Sequence, residues 1–203
     1  MNIFVLVLIL FTTNLSLSKA KTINYQETFK LKTYEEAKGQ SSNYLGFIVK
    51  SKKIGFITSD IDGLVKKYSI ESNINIDEKI IKNINVKFKI TSMDTDNESR
   101  NEKLHDFCLD YKKNSNIIVK SKNICVYKDG SCVIDGEILI RKEWFPIRIK
   151  LKVNDAKGNE HLVVVGEAET GLKKLKIPDP SIFVAKLLDK IRIKFKVSLS
   201  MPN

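Results

Sequence analysis

Residues 92–108 (Ser-Met-Asp-Thr-Asp-Asn-Glu-Ser-Arg-Asn-Glu-Lys-Leu-His-Asp-Phe-Cys) gather most of the side chains in this sequence that could do chemistry. Asp94 and Asp96 could act as a paired acid and base, but both sit where a strand gives way to a helix, and Asp commonly caps there. Arg100 and Lys103 suit an anion: the guanidinium forks onto a carboxylate or phosphate, and the ammonium adds a point charge. Leu104 and Phe107 stand beside them on the same short helix. Two readings follow. In one, the apolar pair lines the entrance of a cavity while Arg100 and Lys103 neutralise an anionic headgroup. In the other, the helix is a plug, with Leu104 and Phe107 packed inward and its charges in water, and residue physics alone favours the plug. The only histidines, His105 and His161, fit no His-Cys or His-x-His ligand spacing. The sequence has no Gly-rich phosphate loop and no nucleophile elbow. The expectation is a binding protein with no metal, no cofactor and no reaction. An enzyme built on Asp94, Arg100 and His105 is the weaker alternative.

The elements that must hold this segment show strict two-residue alternation. Ile84, Val86, Phe88 and Ile90 alternate with polar residues, as do Phe145, Ile147, Ile149, Leu151 and Val153, and again Ile191, Ile193, Phe195, Val197 and Leu199. Successive strand side chains face opposite ways, so each segment has one apolar and one wet side, which suits an antiparallel sheet with a single buried face. The full pattern predicts strands over 22–32, 44–50, 53–59, 64–76, 116–127, 131–141, 144–153, 161–170 and 190–200. Turns are expected at Ser51-Lys52 and at 59–63 (Ser-Asp-Ile-Asp-Gly). A helical turn within 33–43, a helix over 94–108 capped by Asp96 or Asn97, and a short helix from Pro180 through Leu188 complete the plan. The fold class is therefore all-β: about eight antiparallel strands closed into a barrel, which removes sheet edges and leaves room for one small ligand. A two-sheet sandwich is the competitor. By alternation Phe88, Ile90, Ile138, Ile140, Phe145, Ile147, Ile149, Ile193 and Phe195 face inward, and Trp144 packs at the rim.

A strand followed by Ser-Met-Asp-Thr and then Asn97-x-x-Arg100-Asn101-x-x-Leu104-x-x-Phe107 resembles the signature of the YceI-like lipid-binding family. That family shows Ser-x-Asp-Thr, then Asn-x-x-Arg-Asp-x-His-Leu and a phenylalanine shortly after. The likeness continues at Ile117–Ile124 and through Asp135-Gly136-Glu137 to Phe145-Pro146-Ile147. The resemblance implies a lipocalin-like barrel, secreted to the bacterial periplasm, holding a polyisoprenoid or another long amphiphile. It implies that Arg100, Leu104 and Phe107 serve the entrance and lumen. Asn101 stands where the family has Asp, and Lys103 where it has His, so the headgroup contacts differ and Lys103 favours a more anionic polar end.

Other features bound the setting. Residues 3–11 (IFVLVLILF) are too short to span a bilayer and are followed by Ser18-Lys19-Ala20, small residues at −3 and −1 of a cleavage site. They read as a signal peptide over 1–20, without a basic start, leaving a single domain from 21 to 203, periplasmic or secreted. The net charge of +11, from 35 Lys and Arg against 24 Asp and Glu, is mostly Lys spread along strand faces. The favoured reading is solvated strand faces whose outward lysines discourage edge pairing; transient contact with a membrane surface is the alternative, and nucleic acid is not expected because no aromatics are interleaved on one face. The oligomeric state is left open, a homodimer included. A filled barrel acting as a protein-interaction module is the main functional rival. Cys125 and Cys132 would face each other across a four-residue loop at 127–130 but not across a two-residue turn at 129–130. The sequence leaves both registers open and leans to unpaired thiols; Cys108 is the odd one.

Overall fold

A computed structural model describes residues 22–30, 43–53, 57–156, 161–181 and 185–200. The leader and all but the last residue of the 33–43 stretch, where a helical turn is expected, lie outside them. Twelve strands form one sheet: β1 (Thr22–Lys30), β2 (Tyr44–Lys53), β3 (Thr58–Val65), β4 (Lys67–Asn75), β5 (Ile80–Lys89), β6 (Met93–Asp94), β7 (Asn116–Ser121), β8 (Cys125–Val126), β9 (Ser131–Ile140), β10 (Glu143–Ala156), β11 (His161–Gly171) and β12 (Ala185–Ser200). Their order is β1-β4-β5-β7-β9-β10-β11-β12-β2-β3-β6, with β8 on β5, and every pairing is antiparallel.

Twelve strands stand where alternation suggested about eight, and the surplus has a physical origin. β3 and β4 are one run bent at Lys66, whose amide donates to the Ser92 carbonyl. β5 and β6 are likewise one run, interrupted by a 3-10 turn at Ile90–Ser92. The ladder that joins β4 to β5 therefore continues as β3 on β6, and the sheet curls round until its far side meets its start. β1 and β8 extend the wall of this lipocalin-like barrel beside β4 and β5, and their Ile23, Tyr25, Phe29 and Cys125 belong to its buried core.

Three local expectations are corrected. The 59–63 stretch is strand, not turn: Asp60 pairs with Lys50 and Arg192 on the wet face, and Gly63 leaves space for the Phe47 ring across the ladder. The turn expected at Ser51-Lys52 is absent, because β2 runs on to Lys53. The helix expected to reach Leu188 is replaced by strand from Ala185, where Leu187 pairs with Ser51 and a bulge separates Leu187 from Ile191.

The buried face of the sheet forms one apolar cluster. Its end nearest the β4–β5 connection is sealed by Ile74, Cys125 and Tyr127, each 2% exposed or less. Here the cysteine register resolves against the expectation of free thiols. The Gly130 amide donates to the Tyr127 carbonyl, Gly130 takes φ +70, and the four-residue loop puts Cys125 and Cys132 in a disulfide with Cα atoms 5.6 Å apart. The loop is further pinned by Val153 N–H to the Gly130 carbonyl and Tyr127 N–H to the Lys79 carbonyl.

Candidate functional site

At the opposite end three connections meet. The first is the segment from β6 to β7, with helix α1 (Glu98–Glu102) running into a π-helical turn at Lys103–Cys108. The second is the β9–β10 hairpin, a two-residue turn in which Arg141 and Lys142 both take positive φ, +50 and +68. That turn normally selects Asn and Gly. Arg141 is held there because its Nη1 donates to the Phe107 and Cys108 carbonyls, 3.2 and 3.0 Å away, tying hairpin to helix. The third is the β11–β12 connector, where Leu172 N–H bonds the Asp189 carbonyl and Lys176 bridges to Glu143 of the hairpin.

These connections surround the mouth of a cavity of about 400 Å³ enclosed by the curled sheet. Residues from β2 to β7 and from β9 to β12 line it, whereas β1 and β8 contribute none. The walls are almost wholly apolar: Phe47 and Val49 of β2, Ile70 of β4, Phe88 of β5, Ile138 of β9 and Phe195 of β12 are representative. Two glycines set the bore. The Phe47 ring lies over Gly63 and the Phe195 ring over Gly166, where an added Cβ would fall 2.1 and 2.0 Å from the ring atoms. No larger residue leaves these rings flat against the wall.

Polar groups concentrate at the mouth. Asn97 caps α1, its side chain accepting from Arg100 N–H at 2.9 Å, which selects Asn97 over Asp96. Asn101 clasps the start of the segment: its Oδ1 accepts from the Thr95 amide at 2.8 Å and the Thr95 hydroxyl at 2.7 Å, and its Nδ2 donates to Asp94 at 2.9 Å. An amide serves both directions at once, which is what the departure from Asp at this position supplies. Asp94 also accepts from Asp96 N–H and from Lys66 Nζ at 2.8 Å. Burial alone would raise its pKa, but these bonds and the Lys66 charge outweigh it and hold the carboxyl at about 2. His105 Nε2 lies 2.9 Å from the Met93 carbonyl, so this half-buried ring is a tie to β6 rather than an exposed side chain.

Arg100 donates Nη2 to the Thr95 carbonyl at 2.7 Å, and both Arg100 and Lys103 line the cavity. Among the described residues neither has a carboxylate in ion-pair range. Cys108, a free thiol, also lines the cavity; its burial pushes the pKa up to about 11.

Of the residues expected at the site, Arg100, Lys103, Leu104, Phe88, Ile138, Ile140, Ile147, Ile149, Ile193 and Phe195 line this cavity. Phe107, Ile90 and Phe145 do not. Phe107 is 52% exposed, because the π turn bonds i to i+5 (Leu109 N–H to the Leu104 carbonyl) and brings Cys108, not Phe107, beneath Leu104. Ile90 opens the 3-10 turn and is packed at 1% exposure off the lumen. Phe145 is buried beneath the connector, with Lys176 Nζ 5.9 Å from its ring centre. Sequence reasoning missed the linings from β2 and from the connector. Leu45–Val49 reads as a continuous apolar run rather than an alternation. The i, i+3 spacing of Leu172 and Leu175, which both face the cavity, was a legible signal for a turn of helix-like chain.

Solved structures share this architecture. Burkholderia cenocepacia BcnA aligns with a TM-score of 0.64 at 13% identity, covering 78% of this chain and 96% of its own. A polyisoprenoid binding domain from Saccharophagus degradans gives 0.58 at 11% identity, covering 81% and 97%. A Campylobacter jejuni YceI protein gives 0.59 at 17%, covering 71% and 87%. No curated protein matches the sequence. The likeness to these structures is one of fold, and the sequence supplies the rest: the YceI-like domain model matches residues 21–199, from the first strand to the last, so this chain belongs to the YceI-like family.

Proposed function

We propose that this protein binds a lipid: an amphiphile with an isoprenoid or fatty-acyl tail and an anionic head, taken tail-first into the barrel. One observation carries the reading. A cavity of about 400 Å³ with apolar walls, within the usual range for ligand sites, counts Arg100 and Lys103 in its lining, cations with no carboxylate partner among the described residues. Each tail methylene moved from water into such walls contributes about 0.8 kcal/mol. A charge-assisted hydrogen bond from Arg100 or Lys103 adds about 1.5–3 kcal/mol and fixes which end points outward. The polyisoprenoid binding described for the Saccharophagus degradans domain supports the tail class. Sequestration rather than catalysis suits the geometry, because Asp94 is bound by Lys66 and Asn101, and His105 by the Met93 carbonyl. Export to the periplasm or beyond fits the apolar run at 3–11, the Ser18-Lys19-Ala20 junction and a disulfide that an oxidising compartment would preserve.

The test is uptake of a fluorescent fatty acid by lipid-stripped protein, in parallel with the methyl ester of the same probe. Lys103→Gln should weaken the acid about tenfold and leave the ester nearly unchanged. If neither probe enters, and no amphiphile is extracted from protein isolated from its native host, the barrel is a filled scaffold and the lipid reading is wrong.

A further inference from the structure

Paired and unpaired lysines occur over the whole outer surface, and at the mouth the unpaired ones meet exposed apolar side chains. On the walls some cations are matched, Lys50 and Arg192 with Asp60, Arg148 with Asp135, Lys122 with Glu137 and Lys190 with Glu169, while exposed strand lysines such as Lys87, Lys152 and Lys194 are in no ion pair among the described residues. At the mouth, Lys142 of the hairpin and Lys173, Lys174 and Lys186 of the connector and early β12 are exposed, and none is in an ion pair among the described residues. Three large exposed apolar side chains stand on the same segments: Phe107 at 52% in the π-helical turn, Trp144 at 42% beside the hairpin with Lys120 Nζ 5.3 Å from its ring centre, and Leu188 at 37% in early β12. Their segments are mechanically joined. Arg141 bonds the Phe107 carbonyl, Lys176 bridges to Glu143 beside Trp144, and Lys173 N–H bonds Asp189 beside Leu188.

From this we infer that the mouth is a docking face for an anionic phospholipid bilayer, with Phe107, Trp144 and Leu188 entering the headgroup layer. Aromatic rings that are apolar in body and polar at one edge settle at that depth, and nearby lysines are drawn by the negative surface. The arrangement faces the cavity entrance onto the membrane, so an amphiphile passes between the two without crossing bulk water. The inference depends on the lipid reading for its purpose only, since docking is measured without any ligand in the cavity.

Trp144 is the only tryptophan in the sequence, so its emission reports the face directly. Lipid-stripped protein is titrated with phosphatidylcholine vesicles, with and without phosphatidylglycerol. The expected result is a blue shift with the anionic vesicles, quenching by brominated lipid, and release in about 0.5 M salt, where screening shortens to a few ångströms. Lys173→Glu with Lys174→Glu should weaken vesicle binding by about tenfold or more. Phe107→Ser with Leu188→Ser should abolish the blue shift. Both pairs lie outside the cavity lining and should still take up the fluorescent fatty acid in the absence of vesicles. Unchanged Trp144 emission with anionic vesicles, or binding that survives both variant pairs, overturns the docking face. Loss of fatty-acid uptake by the unaltered protein would instead strike the lipid reading and leave the vesicle result standing.

Discussion

Replacing Gly166 with alanine tests whether a glycine sets the bore of the cavity. An ideal Cβ there lies 2.0 and 2.2 Å from two atoms of the Phe195 ring and 2.8 Å from Leu151 Cδ2, where ordinary contact begins at 3.4 Å. The ring must retreat by about 1.4 Å, and the backbone of β11 behind it leaves only the lumen to retreat into. Forcing a methyl into a packed site of this kind costs about 1–3 kcal/mol, and about 2 kcal/mol is expected here. Phe195→Ala removes the nearest obstacle and leaves only Leu151 Cδ2, the far end of a flexible side chain, to shift. On that background Gly166→Ala should be neutral or slightly stabilising, since alanine lowers the entropy of the unfolded chain by about 0.4–1 kcal/mol. The assay is a double-mutant cycle by denaturant unfolding, followed by fatty-acid uptake of each variant. A coupling of about 2 kcal/mol is predicted, with uptake lost in Gly166→Ala and recovered in the double variant. Additivity within about 0.5 kcal/mol, or full uptake by Gly166→Ala, would refute the account of the lumen given by these ring–glycine pairs.

Further outcomes follow from the two ends of the barrel. Asp94 has a folded pKa of about 2, below its unfolded 3.8, so its contribution of about 2 kcal/mol is complete above pH 4 and disappears as pH falls toward 2; Asp94→Asn should remove that slope from the acid melting curve. Cys125 and Cys132 close a short loop, separation 7, so Cys132→Ser should lower stability by about 2 kcal/mol while leaving the mouth intact, as read by Trp144 emission. Lys142→Gly relieves a left-handed lysine in the hairpin and should raise stability by about 1 kcal/mol, seen as a higher melting temperature. The native Cys108 thiol should stay unlabelled by iodoacetamide at mildly alkaline pH and react once the chain is unfolded.

The sheet was legible because alternation is a local signal: Ile84 to Phe88, Phe145 to Val153 and Ile191 to Leu199 all fall in strands with their apolar members inward or half-buried. Asn97 could be read as a cap for the same reason. What escaped depended on contacts far along the chain. Gly63 carries a turn signal locally, yet it serves to seat Phe47 from the neighbouring strand. Pro180 looks like the opening of a helix, but the Ser181 hydroxyl takes the Leu187 amide and β12 begins early against β2. Phe107 turned outward on a single extra residue in a helical turn, a change of phase no sequence periodicity encodes. The disulfide hung on one register choice at Gly130, settled by its bond to Val153 of another strand.

Ile74, Cys125 and Tyr127 pack the end of the core away from Arg100 and Lys103, so on the proposed reading cargo enters and leaves by the mouth alone. A newcomer has no rear door through which to push an earlier guest. Replacement must wait for departure, so turnover of cargo should proceed at one fixed rate however concentrated the competitor becomes.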